Sequence, residues 1–233
     1  MSDFAELAFK PEKFSGHVRL FPLPNLVMFP GVMQPLHIFE PRYREMLEDA
    51  LASDRLIAMA LLTAGWEKQY EGRPPIAPVA CLGRVATFQQ QAPDRYNVLL
   101  LGLRRVRLAR ELPAARSFRE ADVDVLEDEY PAAAAAARPA LQKTLVKKFK
   151  AILPQLQHAQ EQLDQLLSGT IPLGMLTDIV AYALDLELAA KQQLLSETNV
   201  DLRATMLLGH LDSARRDPAR VAKELFPPQF SVN

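Results

Sequence analysis

Residues Phe29 to Arg44, FPGVMQPLHIFEPRYR, admit few alternatives to a turn, an extended segment and a helix start in immediate succession. Pro30-Gly31 is a turn signal, because proline presets φ and glycine tolerates positive φ. Met33 to Phe39 reads as a short strand, and Pro35, which cannot donate to a ladder, puts it at a sheet edge or at the strand's first residues. Pro41 suits the first helical position, and Glu40 lies against the helix's positive end. Tyr43, Met46, Leu47, Ala50 and Leu51 then recur at helical spacing and define one apolar face. Arg44 and Glu48 sit one turn apart on the wet side, placed to pair.

Around this stretch the first 130 residues read as strands. Val18 to Phe21 is a short one, stopped by Pro22 and Pro24. Leu56 to Leu62 (LIAMALL) is a continuous apolar run of the length of a buried strand. Thr63 to Pro75 is a loop. Val79 to Phe88 and Asn97 to Arg110 form a hairpin about a Pro-Asp turn. In the second of these, Leu99, Leu101 and Leu103 share one parity and Val106 and Leu108 the other. A two-residue period changes phase only with an extra residue, so a bulge is predicted between Gly102 and Arg105. Phe118 to Leu126 alternates, with Val123 and Val125 inward and Asp122 and Asp124 outward.

From Tyr130-Pro131 the pattern turns helical. Ala132 to Ala137 is a strong helix former, with a break or kink expected at Pro139. Leu141, Leu145, Phe149, Ile152 and Leu156 form one stripe, and Gln160 to Leu167 a further segment. Thr170 and Pro172 open a helix that buries Leu173, Leu176, Ile179, Val180 and Ala183. Leu186 to Leu195 is short. Asn199 caps a longer helix with Leu202, Met206, Leu207 and Leu211 on its buried side. The fold class is therefore α+β, a strand-rich module over residues 1–130 and a helical one over 131–233.

Composition and motifs narrow the chemistry. A net charge of −1 supplies no global attraction to nucleic acid or an anionic membrane. The single cysteine, Cys81, forbids an internal disulfide and suits a reducing compartment; with no signal-like start, a cytoplasmic protein is expected. Four scattered histidines show no metal-ligand spacing, so no metal site and no cofactor are expected. Cys81 opens a strand, which favours a buried inert thiol over a nucleophile. There is no G-x-x-x-x-G-K-[ST] loop and no G-x-S-x-G elbow, and no catalytic residue is assigned. Arg104, Arg105, Arg107 and Arg110 could meet phosphates, but no aromatics interleave them and Asp122 and Asp124 stand ready to pair with them. Apolar residues in places that should be wet suggest a partner surface instead: Met28, Phe29 and Met33 beside the Pro-Gly turn, and Trp66 and Tyr70 in the polar loop. The alternative for Val27 and Phe29 is that they tuck under the sheet as a plug.

Phe21-Pro-Leu-Pro, Val27 to Gly31 and Pro35-Leu-His-Ile-Phe-Glu-Pro-Arg-Tyr together resemble the signature of the Lon protease N-terminal (substrate-binding) domain. Leu99 to Arg107, with Gly102-Leu103-Arg104-Arg105, continues the resemblance. So does Asp178 to Leu211, with Lys191-Gln192, Leu194-Leu195 and Arg203, and coverage runs from about Phe14 to Asp212. The resemblance implies a small twisted β-barrel of the PUA-like kind, with one packed helix, followed by a C-terminal α-helical bundle. On this reading Pro30, Gly31, Phe39, Glu40, Pro41, Arg42, Tyr43, Gly102 and Arg105 are structural. Lon continues into an ATPase module and a Ser-Lys protease module; this chain has neither, so a stand-alone, non-catalytic domain is expected. The implied partners are unfolded or degron-bearing polypeptides, with a protease as a potential associate. PUA-like folds elsewhere bind RNA, which makes RNA binding the alternative.

Overall fold

The computed structural model describes residues 9–70, 72–152 and 171–216. The chain divides into two compact units, one running to Leu126 and the other beginning at Glu127. The first unit holds strands β1 (His17–Leu23), β2 (Met33–Ile38), β3 (Leu56–Leu61), β4 (Val79–Ala92), β5 (Arg95–Glu111) and β6 (Arg119–Leu126), with helix α1 (Pro41–Leu51) between β2 and β3. The second holds α2 (Arg138–Ile152), α3 (Leu173–Ala183), α4 (Leu188–Ser196) and α5 (Val200–Arg216). The protein is thus mixed α+β, as its sequence predicts.

The six strands form one sheet in the order β2-β5-β4-β3-β1-β6, and β6 also pairs with β5. Pairing therefore runs from β5 through β4, β3, β1 and β6 back to β5. β2 takes Tyr96 to Leu101 of β5, whereas β6 takes Arg105 to Glu111. The enclosed core follows the two-residue period: Val18 and Leu20, Leu56, Ala58 and Ala60, Ala80 and Leu82, Ala121 and Val123, with Val106. β1 and β3 run parallel and are buried on the opposite parity as well, at Phe21, Leu23, Ile57 and Met59. That double burial is why LIAMALL is continuous and not alternating. α1 supplies the cover on the β1 side, burying Tyr43, Met46, Leu47 and Ala50, with the Tyr43 ring 4.5 Å from Phe21. Each large apolar side chain removed from water in this way contributes about 1.5–3 kcal/mol.

The phase change in β5 is resolved by a bulge within the predicted span. Leu82 pairs with Arg104 and Gly83 with Gly102, so Leu103 is the extra residue. β1 extends further than predicted, through Pro22 to Leu23. Its pairing with β6 ends at Leu20, so beyond that point β1 has β3 alone as a partner and the missing proline N–H is tolerated. The turn after α1 holds Arg55 at a φ of 61°, with its N–H on Ala50 O. Arg19 braces the same turn, reaching Asp49, Ser53, Asp54 and Leu56 O.

In the second unit α2, α3 and α5 pack on one another and α4 packs on α3. The alanine run departs from its propensity. Ala132–Ala134 is a 3-10 turn, and α2 begins only at Arg138, with Pro139 in its first turn instead of breaking a helix. The stripe is seen at Leu145 and Phe149, both buried; Leu156, the segment 160–167 and Thr170 lie outside the described residues. Asn199 caps α5 as expected, its Oδ1 accepting from the N–H groups of Asp201 and Leu202. Leu202, expected inside, is instead 48% exposed, and Arg203 takes the buried position at 0%. Glu127 to Tyr130, read from the sequence as the end of the strand module, belongs to this second unit.

Candidate functional site

The Pro-Gly turn is pressed onto β5. Gly31, at a φ of 76°, donates to Gly102 O at 2.9 Å, and Gly102 N–H donates back to Val32 O at 2.9 Å. This seating decides the fate of two proposed contact residues. Met28 and Phe29 are both 0% exposed, and Val27 is 3% exposed. The plug reading is the one realised for Val27 and Phe29. Met28 and Phe29, expected as client contacts, are core residues: side chains of this size gain more from burial than a wet turn would allow.

Met33, Trp66 and Tyr70 are half-buried. Met33 starts β2, opposite Leu101. Among the described strands β2 pairs only with β5, so its other edge is the margin of the sheet, as Pro35 foretells. The strand is followed by Phe39, which is 41% exposed. Gln34, also on β2, is 4% exposed and donates to Pro35 O, and its Oε1 has no partner.

The loop carrying Trp66 and Tyr70 is tied to the start of α1. Glu40 is the N-cap residue, yet its carboxylate makes no cap bond. It accepts from Tyr70 Oη at 2.5 Å and from Arg42 Nε at 3.0 Å. Arg42 Nη1 donates to Tyr70 O at 3.1 Å, and its guanidinium lies over the rings of Tyr43 (4.7 Å) and Tyr70 (4.6 Å). Trp66 meets Tyr70 edge-on at 5.5 Å. Burial, then the bond to Glu40, raises the pKa of the Tyr70 phenol, which keeps it a donor at neutral pH. Pro41 stands at the helix start and Tyr43 donates to Pro22 O. The structure thus brings Glu40, Arg42, Tyr43, Trp66 and Tyr70 together, with Met33 apart from them on the sheet edge.

Arg42 holds two chain segments at once, so Arg42→Ala should lower stability by about 1–3 kcal/mol, because it strips partners from Glu40 and Tyr70 O. Urea or thermal melting of the variant measures this. A variant that melts like the parent but loses a binding partner would make Arg42 a contact residue instead.

The arginines of the basic strand are partly taken up within the sheet. Arg105 is 3% exposed, Arg110 donates to Asp122 at 2.7 Å, and Arg107 lies opposite Asp124 in the ladder. Cys81 is buried. Among the described residues no cluster could hold a metal ion, and no helix is long and apolar enough to cross a membrane.

Sequence reading missed a second feature of this unit. A cleft of about 440 Å³ is lined by Arg42, Arg73, Arg116 and Arg119, with Pro22 and Phe118 among the other walls. Arg119 donates both Nε and Nη2 to Glu111, at 2.8 and 2.6 Å, and Nη1 to Pro74 O. One signal was available for it: Arg119 shares the inward parity of Ala121 and Val123, where a cation requires a built partner.

Comparison with known proteins accounts for this architecture. Residues 17–213 match the ATP-dependent protease La (LON) substrate-binding domain. The chain is 28% identical over 191 residues to Lon protease 2 of Myxococcus xanthus, covering 81% of this chain and 22% of that protease. It is 26% identical over 217 residues to Lon protease 2 of Thermus thermophilus, covering 88% and 26%. The chain therefore spans about a quarter of the length of these relatives. The N-terminal domain of the Mycobacterium avium complex Lon protease superposes with a TM-score of 0.65 at 19% identity, covering 84% of this chain and 98% of that one. A Lon N-terminal domain protein from Xanthomonas campestris gives 0.58 at 21% identity, covering 83% and 97%. These two likenesses establish the shared fold, and the match over residues 17–213 establishes the family: the chain belongs to the LON substrate-binding domain family.

Proposed function

We propose that this chain recognises polypeptide and contributes no bond-breaking residue of its own, acting as a substrate-binding or adaptor element. Its clients are unfolded or degron-bearing chains, and a protease is the associate that would act on them. The observation that carries this reading is the margin of the sheet at β2, a six-residue edge strand that leads directly into exposed Phe39. Such an edge offers backbone groups to a guest strand, while side chains beside it select the guest. Met33 on the strand, and the half-buried pair Trp66 and Tyr70 beyond the start of α1, are the side chains assigned to that selection. Pro35 withholds one donor and limits how far a guest can run. The return of strand pairing to β5 supports reading the sheet as a small PUA-like barrel. The packing of α2 and α3 on α5 supports reading the second unit as a helical bundle.

Affinity should be modest, on the order of micromolar or weaker, because an unfolded client is ordered on binding. The test is Met33→Asp, with binding of rhodamine-labelled, reduced and carboxymethylated lactalbumin followed by anisotropy. Binding is expected to weaken several-fold while the thermal midpoint stays within a degree or two, and Trp66 emission should shift when client is added to the parent. Unchanged binding would refute the edge-strand site. Unfolding of the variant would assign Met33 to the core and remove it from the site.

A further inference from the structure

The arginine-lined cleft of the first unit is not used by the edge-strand reading. We infer that it is a carboxylate-binding site, in which Arg73 and Arg116 receive a free C-terminus or an acidic side chain of a bound polypeptide. The inference rests on the polypeptide-binding function proposed above and names a second point of contact for the same clients.

The donor inventory carries it. A guanidinium has five N–H donors in a fixed fork that matches a carboxylate. Arg73 uses Nη1 alone, donating to Leu112 O at 2.6 Å and lying 3.3 Å from Glu111. Arg116 also uses Nη1 alone, on Asp49 at 2.6 Å. The Nε and Nη2 donors of both residues are therefore spare, and these side chains are 36% and 45% exposed. A third donor is stranded deeper. Arg42 Nη2 is buried and, although 2.8 Å from Glu40 Oε2 as an ion pair, makes no hydrogen bond.

Charge points the same way. Arg119 and Arg73 share one carboxylate, Glu111, so one positive charge of that trio is unmatched at short range. Asp49 is shared by Arg116 and Arg19, but Arg19 also pairs with Asp54, so that group is balanced and the excess is the one at Glu111. Among the described residues no Asp or Glu lines the cleft. Ser117, on the wall, gives its hydroxyl to Glu45, an exposed residue. A single unmatched charge calls for a monoanion, and about 440 Å³ admits a side chain or a chain end.

Two titrations of the full chain test this. First, the arginine Nε–H resonances are followed by NMR as N-acetyl-alanine is added, with N-acetyl-alanine methylamide as the uncharged control. The Arg73 and Arg116 signals should move with the acid alone. Second, rhodamine-labelled ten-residue peptides rich in Leu, Ala and Phe are compared as free acid, as C-terminal amide and as amide with one internal Glu. The free acid should bind about tenfold more tightly than the amide, the scale of one charge-assisted bidentate pair. Arg73→Gln with Arg116→Gln should erase the difference and leave the amide's affinity unchanged. If the internal Glu restores affinity, the source is any carboxylate; if it does not, the source is the chain end. Equal binding of acid and amide, a preference that survives the double substitution, or an acid that leaves both arginine signals unmoved would overturn the inference. In those cases peptide binding as such would still stand on the amide's affinity. Should no peptide bind while N-acetyl-alanine does move the arginine signals, the polypeptide reading fails and the cleft is a small-carboxylate site.

Discussion

Arg203→Met should unfold the chain's second unit at markedly lower urea, with a loss of about 3–5 kcal/mol, the range for removing one partner of a buried charge network. Arg203 is 0% exposed and spends its guanidinium on three separate stretches of chain. Nη2 lies 2.9 and 3.0 Å from the two oxygens of Asp128, Nε donates to Thr177 Oγ1 at 2.8 Å, and Nη1 donates to Glu197 O at 2.6 Å. Asp178, 2% exposed, stands 3.7 Å away as a second counter-charge. Methionine fills much of the volume but answers none of these acceptors, so the cost is that of the lost charge-assisted bonds and not of a cavity. Adding Asp128→Asn and Asp178→Asn should therefore recover part of the loss, since the same contacts are coupled. A single variant within about 1 kcal/mol of the parent would show that the network adds little to stability.

Gly102→Ala should cost about 3 kcal/mol or more, through forced displacement of the turn and loss of its hydrogen bonds. A Cβ at Gly102 would lie 2.1 Å from Phe29 O, 2.9 Å from Phe29 C and 3.1 Å from Pro30 Cα. All three are backbone atoms, so no rotamer change relieves the clash. Either the Pro-Gly turn lifts away, breaking the two 2.9 Å bonds between Gly102 and residues Gly31 and Val32, or β5 shifts. Lifting the turn would also uncover Met28 and Phe29. Gly209→Ala is the control: nothing lies within 4 Å of its added Cβ, and α5 should gain about 0.5–1 kcal/mol from the better helix former. Urea melts of the two variants decide it, and a Gly102→Ala protein as stable as the parent would deny the turn its seat on β5.

How far the candidate site could be read from the sequence varied with the range of the contacts involved. The edge position of β2 was legible because a single residue, Pro35, removes a ladder donor whatever else the chain does. The start of α1 was legible from Pro41 and the spacing of Tyr43, Met46 and Leu47. The exposure of Met28 and Phe29 was misread because flanking turn signals describe the local backbone and say nothing of what lies beneath it. Met28 and Phe29 became core only when Gly102, some seventy positions away in sequence, allowed the turn to approach β5. The cleft was invisible for the same reason, since its arginines come from α1, the loop between β3 and β4, the β5–β6 connection and the start of β6.

What the sequence determined by itself is whatever a period or a single backbone constraint can encode. The parity change along β5 required an extra residue, and the structure places it at Leu103. The continuous run in β3 implied burial on both faces, and Asn199 implied the start of α5. Tertiary structure decided the rest where local preference and packing disagree. The alanines at 132–137 favour a helix, but α2 begins only at Arg138, whose Nη2 donates to Pro131 O and whose guanidinium pairs with Asp201. Leu202 lost its expected buried place, and Arg203 is buried beside it, for a reason no helical period contains. A leucine gains only its transfer energy inside, whereas Arg203 meets Asp128, Thr177, Asp178 and Glu197 O gathered from three separate stretches of chain.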